Sequence, residues 1–121
     1  MTDQDPYRAI TDIDMAKLAQ AIEHFRTLDK EIPAQVIATF LYVASHDDCF
    51  KGDLEKALAF STASGSRNTD WLSAFHRLNK PGLGLIIKYR DPNNRRRQVL
   101  QLSPKGRKLV QELKQILYSA N

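Results

Sequence analysis

The sequence carries a single cysteine, Cys49, in 121 residues. One thiol cannot close an intrachain disulfide, so the fold must rest on its apolar core, and a reducing compartment is the expected setting. No apolar run approaches the ~20 residues that a membrane span needs. The opening stretch, MTDQDPYRAITD, lacks the basic-then-apolar pattern of a secretory leader. The chain therefore reads as cytoplasmic, without a membrane partner. Histidine is scarce too, at His24, His46 and His76. The run His46-Asp47-Asp48-Cys49 holds metal-ligand types, but no second pair completes a site, so neither a metal nor another cofactor is expected. Two neighbouring acids disfavour the Cys49 thiolate and argue against a nucleophile. Gly82-Leu83-Gly84 follows a helical pattern rather than a strand, the wrong setting for a dinucleotide-binding loop. Ser103-Pro104-Lys105-Gly106 lacks the glycine-rich lead of a phosphate loop. No catalytic constellation emerges, and the chain does not read as an enzyme.

What is present points elsewhere. The length fits one domain, 1–121, and 42% hydrophobic residues suffice for one core. Charge is distributed unevenly. Residues 1–60 hold 6 Lys and Arg against 11 Asp and Glu, whereas residues 61–121 hold 12 against 3. A net −5 half followed by a net +9 half marks a surface for a polyanion, most often nucleic acid.

Residues 1–10 are polar and read as extended or disordered. Thr11 with Asp14 suggests a cap, and Ile13, Leu18, Ile22, Phe25 and Leu28 recur at helical spacing, predicting a helix over 11–28. Pro33 suits the first position of a second helix with Val36, Ile37, Phe40, Leu41 and Ala44 inward. Gly52 reads as a break, and Asp53 as the cap of a short third helix with Leu54 and Leu58 inward. Ser61-Thr62-Ala63-Ser64-Gly65 is a turn by composition. Ser66 then caps a fourth helix over 66–79, with Leu72, Phe75 and Leu78 on its inner face. Two β-type runs, 85–90 and 98–102, enclose a basic loop from Asp91 to Arg97. Ser103-Pro104 starts a last helix over 104–119, lined by Leu109, Val110, Leu113, Ile116 and Leu117. The order predicts a mainly α protein with a small β-hairpin wing: a winged helix-turn-helix core over 33–103 with an extra helix at each end.

The fourth helix and the hairpin carry the chemistry. The amino-terminal residues of a recognition helix meet base edges in the major groove, where arginine pairs with guanine and asparagine with adenine. By this reading Arg67, Asn68, Thr69 and Asp70 lead, with Ser73, His76 and Arg77 further along the outer face and Lys88 on the following strand. A solvated polar helix face would look the same. The loop tips the balance, because Arg95, Arg96 and Arg97 at its tip repel one another, whereas phosphates or a minor groove attract them.

Leu78-Asn79-Lys80-Pro81-Gly82-Leu83, then Asp91-Pro92-Asn93-Asn94-Arg95-Arg96-Arg97, then Leu102-Ser103-Pro104-Lys105-Gly106-Arg107 resembles MarR-type winged helix-turn-helix transcriptional regulators over roughly 33–115. The resemblance implies a homodimer formed by the terminal helices, a palindromic double-stranded DNA operator and repression of transcription, in a compact member of the kind phages and mobile elements carry. It also implies that Ser66 joins the residues that read the major groove. A small-molecule effector is compatible with it, although no residue pattern points to one. Two other classes fit the same pattern: a winged-helix module for protein–protein contact, and a DNA-binding accessory factor in replication or recombination.

Overall fold

The computed structural model describes residues 9–76 and 80–119. Five helices and short strands follow in the order α1 (Ile13–Leu28), α2 (Ala34–Ala44), β1 (Cys49–Phe50), α3 (Lys51–Ala57), α4 (Thr62–Leu72), β2 (Phe75–His76), β3 (Lys80–Pro81), β4 (Ile86–Asp91), β5 (Asn94–Leu102) and α5 (Pro104–Tyr118). The mainly α architecture with a small hairpin is the one expected. Strands β1, β5 and β4 form an antiparallel sheet in that order, and β2 pairs with β3.

The two terminal helices begin and end close to their expected bounds, because their caps are strong. Asp12, rather than Thr11, caps α1 by accepting from the Met15 amide. The Ser103 hydroxyl caps α5 by accepting from the Gly106 amide at 3.0 Å, and Pro104 occupies the first turn. Such a cap contributes about 1 kcal/mol. The same hydroxyl donates to the Gly84 carbonyl at 2.6 Å, tying α5 to the segment that leads into β4.

The middle of the chain departs from its composition. Gly52 does not break the chain and Asp53 does not cap; both lie inside α3, which starts at Lys51 straight after β1. The pairing Cys49↔Leu100 and Phe50↔Val99 holds β1 on the sheet and sets that start. Residues 62–65 are helix, not turn. Ser61 accepts from the Ser64 amide at 3.1 Å and caps α4 one turn before Ser66. The reversal occurs earlier, at Ala59, whose φ is 56°. Gly65 serves close packing rather than turning: a Cβ there would lie 2.1 Å from the Glu55 carboxylate of α3. Glu55 is itself held by Lys51, with side-chain exposures of 14% and 8%.

The core joins all the layers. Phe25, Val36, Phe40, Leu54, Leu72, Leu85, Leu100, Leu109 and Leu113 are buried together. Phe25 meets Phe40 edge-to-face at 5.7 Å, a favoured aromatic geometry. On α1, however, only Phe25 is buried. Leu18 and Ile22, on the stripe that runs to Phe25, remain 53% and 45% exposed, and Ile13 at the start of the helix 38%. Among the described residues no helix is long and apolar enough to cross a membrane.

Candidate nucleic-acid interface

The outer face of α4 follows from its true start. Thr62, Ala63 and Arg67 are exposed and Ser66 is half-buried, at the i, i+1, i+4, i+5 spacing of one helix face. Gly65, Asn68, Thr69 and Leu72 lie on the opposite, buried face. The free amides and positive dipole end at Thr62 favour an anion in front of the helix. Arg67 donates to the Ser64 hydroxyl at 3.1 Å, which lays its guanidinium along this face.

Of the expected reading residues, Ser66 and Arg67 therefore stay outside. Asn68 and Thr69 turn inward. The Asn68 amide donates to Gln35 of α2 at 3.3 Å, and the Thr69 hydroxyl donates to the Gly65 carbonyl at 2.8 Å. Ser73 ends the helix, donating to the Asp70 carbonyl at 3.0 Å. The helix stops at Leu72 instead of running to residue 79; His76 belongs to the backbone of β2, and Arg77 lies outside the described residues. Lys88 is not on the outer surface either. Its ammonium lies 2.6 Å from the Asp70 carboxylate and 3.0 Å from the Thr69 hydroxyl. Thr62 and Ala63 are hard to place from sequence, because four of the five residues 61–65 are serine, threonine or glycine, a composition shared by turns and capped helix starts. The usable signal was Ser61 three residues ahead of Ser64.

The hairpin is tighter than a basic loop. Strands β4 and β5 turn on only Pro92 and Asn93, so Arg95, Arg96 and Arg97 belong to strand β5. The Asp91 carboxylate accepts from the Asn93 amide at 2.9 Å and from Arg97 at 2.7 Å. The Asn93 amide and then Arg97 hold its pKa below the ordinary carboxylate value, against a smaller opposing effect of burial. Arg97 also lies over the Phe50 ring at 4.1 Å, a cation–π contact. All three arginines are exposed, but Arg97 gains from the fold, contrary to expectation. Arg90, which the sequence reading passed over, donates to the Arg95 carbonyl at 2.9 Å and stiffens the strand pair. A cleft of about 270 Å³ lies over α3, lined by its Lys51, Gly52 and Glu55, with Thr62 of α4 on one side and Arg90, Arg96 and Arg97 on the other.

Cys49 is buried, and burial and Asp53 push its thiol up to about 11. Among the described residues no three of His, Cys, Asp and Glu gather as metal ligands.

No protein-family model and no curated protein sequence matches the chain. Solved structures do. MepR from S. aureus, in complex with DNA, is 26% identical with a TM-score of 0.63, over 84% of this chain and 73% of that one. The fold is that of a MarR-type winged-helix regulator. A MarR mutant from E. coli complexed with operator DNA matches at TM-score 0.63 and 18% identity, over 88% of this chain and 69% of that one. A MarR transcriptional regulator from Methanosarcina mazei Go1 matches at 0.61 and 17%, over 84% and 69%. In this fold β4 with β5 makes the wing, and α4 packs directly before it.

Proposed function

We propose that the protein is a sequence-specific, double-stranded DNA-binding transcriptional regulator acting as a dimeric repressor in the cytoplasm. One observation carries this reading: Thr62, at the start of the polar outer face of α4, and the exposed Arg96 of β5 line a common cleft in which Lys51, Arg90 and Arg97 outnumber the single acid Glu55. The likeness to MepR and MarR, both solved with DNA, supports it. Helix α4 enters the major groove with Thr62, Ala63, Ser66 and Arg67 leading, and Arg67 pairs with a guanine edge. The wing lies alongside, with Arg95 and Arg96 on phosphates or in the adjoining minor groove.

The chain works as one winged-helix domain, with residues 33–103 as its DNA-binding core. The apolar residues exposed on α1, together with Leu117 and Tyr118 on α5, pair two chains. A two-fold dimer places its reading helices on half-sites about 34 Å apart, one turn of the duplex. Bound over a promoter, such a dimer excludes polymerase. An electrophoretic shift against random duplex at physiological salt tests the reading. Complexes are expected by micromolar protein, on the order of 10⁻⁶ to 10⁻⁴ M for non-specific binding. No complex with any duplex in that range overturns it.

A further inference from the structure

Wing and reading helix are joined at two places. The first is made of backbone. The Leu83, Gly84 and Leu85 amides donate to the Trp71, Ser73 and Leu72 carbonyls at 2.9, 3.1 and 2.7 Å, and the Gly82 amide donates to Ala74 at 3.0 Å. The segment leading to β4 thus caps carbonyls that the end of α4 would otherwise leave open. The approach is close enough to require glycine, since a Cβ on Gly82 would lie 1.8 Å from the Ser73 carbonyl oxygen. Gly84, at φ +69°, makes the bend that follows.

The second junction is made of side chains. Lys88 of β4 reaches back to α4, one hydrogen bond to Asp70 and one to Thr69. Lys88 and Asp70 are only 17% and 21% exposed, and Thr69 is fully buried. The Thr69 hydroxyl passes the link on to the Gly65 carbonyl, where α4 packs on Glu55 of α3. A charge held this way has little freedom to follow a phosphate, and it neutralises a carboxylate on the helix that faces DNA.

We propose that Lys88 is a positioning residue rather than a DNA contact. With Asp70 and Thr69 it fixes the angle between wing and reading helix, and so sets how strongly the protein prefers its own site over other DNA. This rests on the proposed regulator function and adds to it the residue that couples the two reading elements. The alternative is a lysine that swings out to a phosphate. The two differ in salt dependence, because each phosphate contact adds about one to the slope of log affinity against log salt.

The test compares wild type, Lys88→Arg, Lys88→Gln and the charge-balanced pair Asp70→Asn with Lys88→Met. Each is titrated against a site selected from a random pool and against random duplex, over a range of salt. The pair of changes is expected to lower the selected-to-random affinity ratio on the order of tenfold, the size of a coupled contact. Random-duplex affinity and salt slope should hold, and Lys88→Arg should keep the ratio. Lys88→Gln removes the charge but keeps an amide donor and a side chain of similar size, so its salt slope reads the phosphate alternative even where the doubly changed chain fails to fold. A slope lower by about one in Lys88→Gln, with equal losses on both duplexes, overturns the proposal in favour of a phosphate contact. An unchanged ratio in the folded double variant overturns it as well. Amide exchange in the DNA-free protein separates failure of this link from failure of the regulator reading. Faster exchange at residues 83–88 in the double variant supports the link even where wild type binds no duplex, and unchanged exchange there contradicts it.

Discussion

Arg97 and Asp91 close an ion pair of 2.7 Å beside the turn of the wing, with the carboxylate only 10% exposed. The pair divides three consecutive arginines into two kinds. Arg97 holds the hairpin to Phe50 and Asp91, while Arg95 and Arg96 remain for a partner. Arg95→Ala and Arg96→Ala should each leave the melting temperature unchanged and flatten the salt dependence of DNA binding by about one phosphate contact. Arg97→Ala should lower the melting temperature first. Calorimetry beside salt titrations checks the division; equal behaviour of all three arginines contradicts it.

Acid should find the same pair. Asp91 has its pKa lowered in the fold, by the Asn93 amide above all and then by Arg97. A carboxyl with a lower pKa folded than unfolded contributes stability above its unfolded value of about 3.9. That contribution fades as pH falls through the folded value. Asp91→Asn should therefore be less stable than wild type near neutrality, and the difference should shrink below about pH 4. Denaturant unfolding across pH measures it. A gap that stays constant down to the acid limit shows that the carboxylate's charge does not matter.

The faces of α4 should separate binding from folding. Arg67→Ala should cost about 1–3 kcal/mol at a selected site and much less on random DNA. Asn68→Ala removes the bond to Gln35 and should instead cost about 1 kcal/mol of stability. Thermal unfolding and a binding titration on both variants give the comparison. Specific binding lost through Asn68 at unchanged stability would mean that the helix presents its other face to DNA.

Leu18→Glu with Ile22→Glu puts two charges on the exposed stripe of α1, away from α4 and the wing. Sedimentation at micromolar protein should find a dimer in wild type and a monomer in this variant, with circular dichroism unchanged. A wild-type monomer would leave the apolar stripe without its expected occupant.

The fold was largely legible because its strongest signals are local. Periodic apolar residues with a cap mark α1 and α5, and alternation around a Pro-Asn turn marks the wing. The site was legible in place but not in register. Ser61 to Gly65 has the composition of a turn, and only the contact of Gly65 with Glu55 reveals those small residues as a packing surface. Moving the cap back five residues, from Ser66 to Ser61, adds Thr62 and Ala63 to the exposed face, whereas Asn68 and Thr69, four and three residues before buried Leu72, share its inward face. The role of Arg97 was hidden for a similar reason, since Phe50 is 47 positions away and meets it only through the pairing of β1 with β5. Lys88 looked like one more surface cation because its partners lie 18 and 19 residues earlier on another element.

Selection of bound duplexes from a random DNA pool tests the central claim most directly. The account predicts enrichment of an inverted repeat whose half-site centres lie about one helical turn apart, with the enrichment lost in Arg67→Ala. A pool that returns no enriched sequence, from protein that binds all duplexes alike, would contradict it.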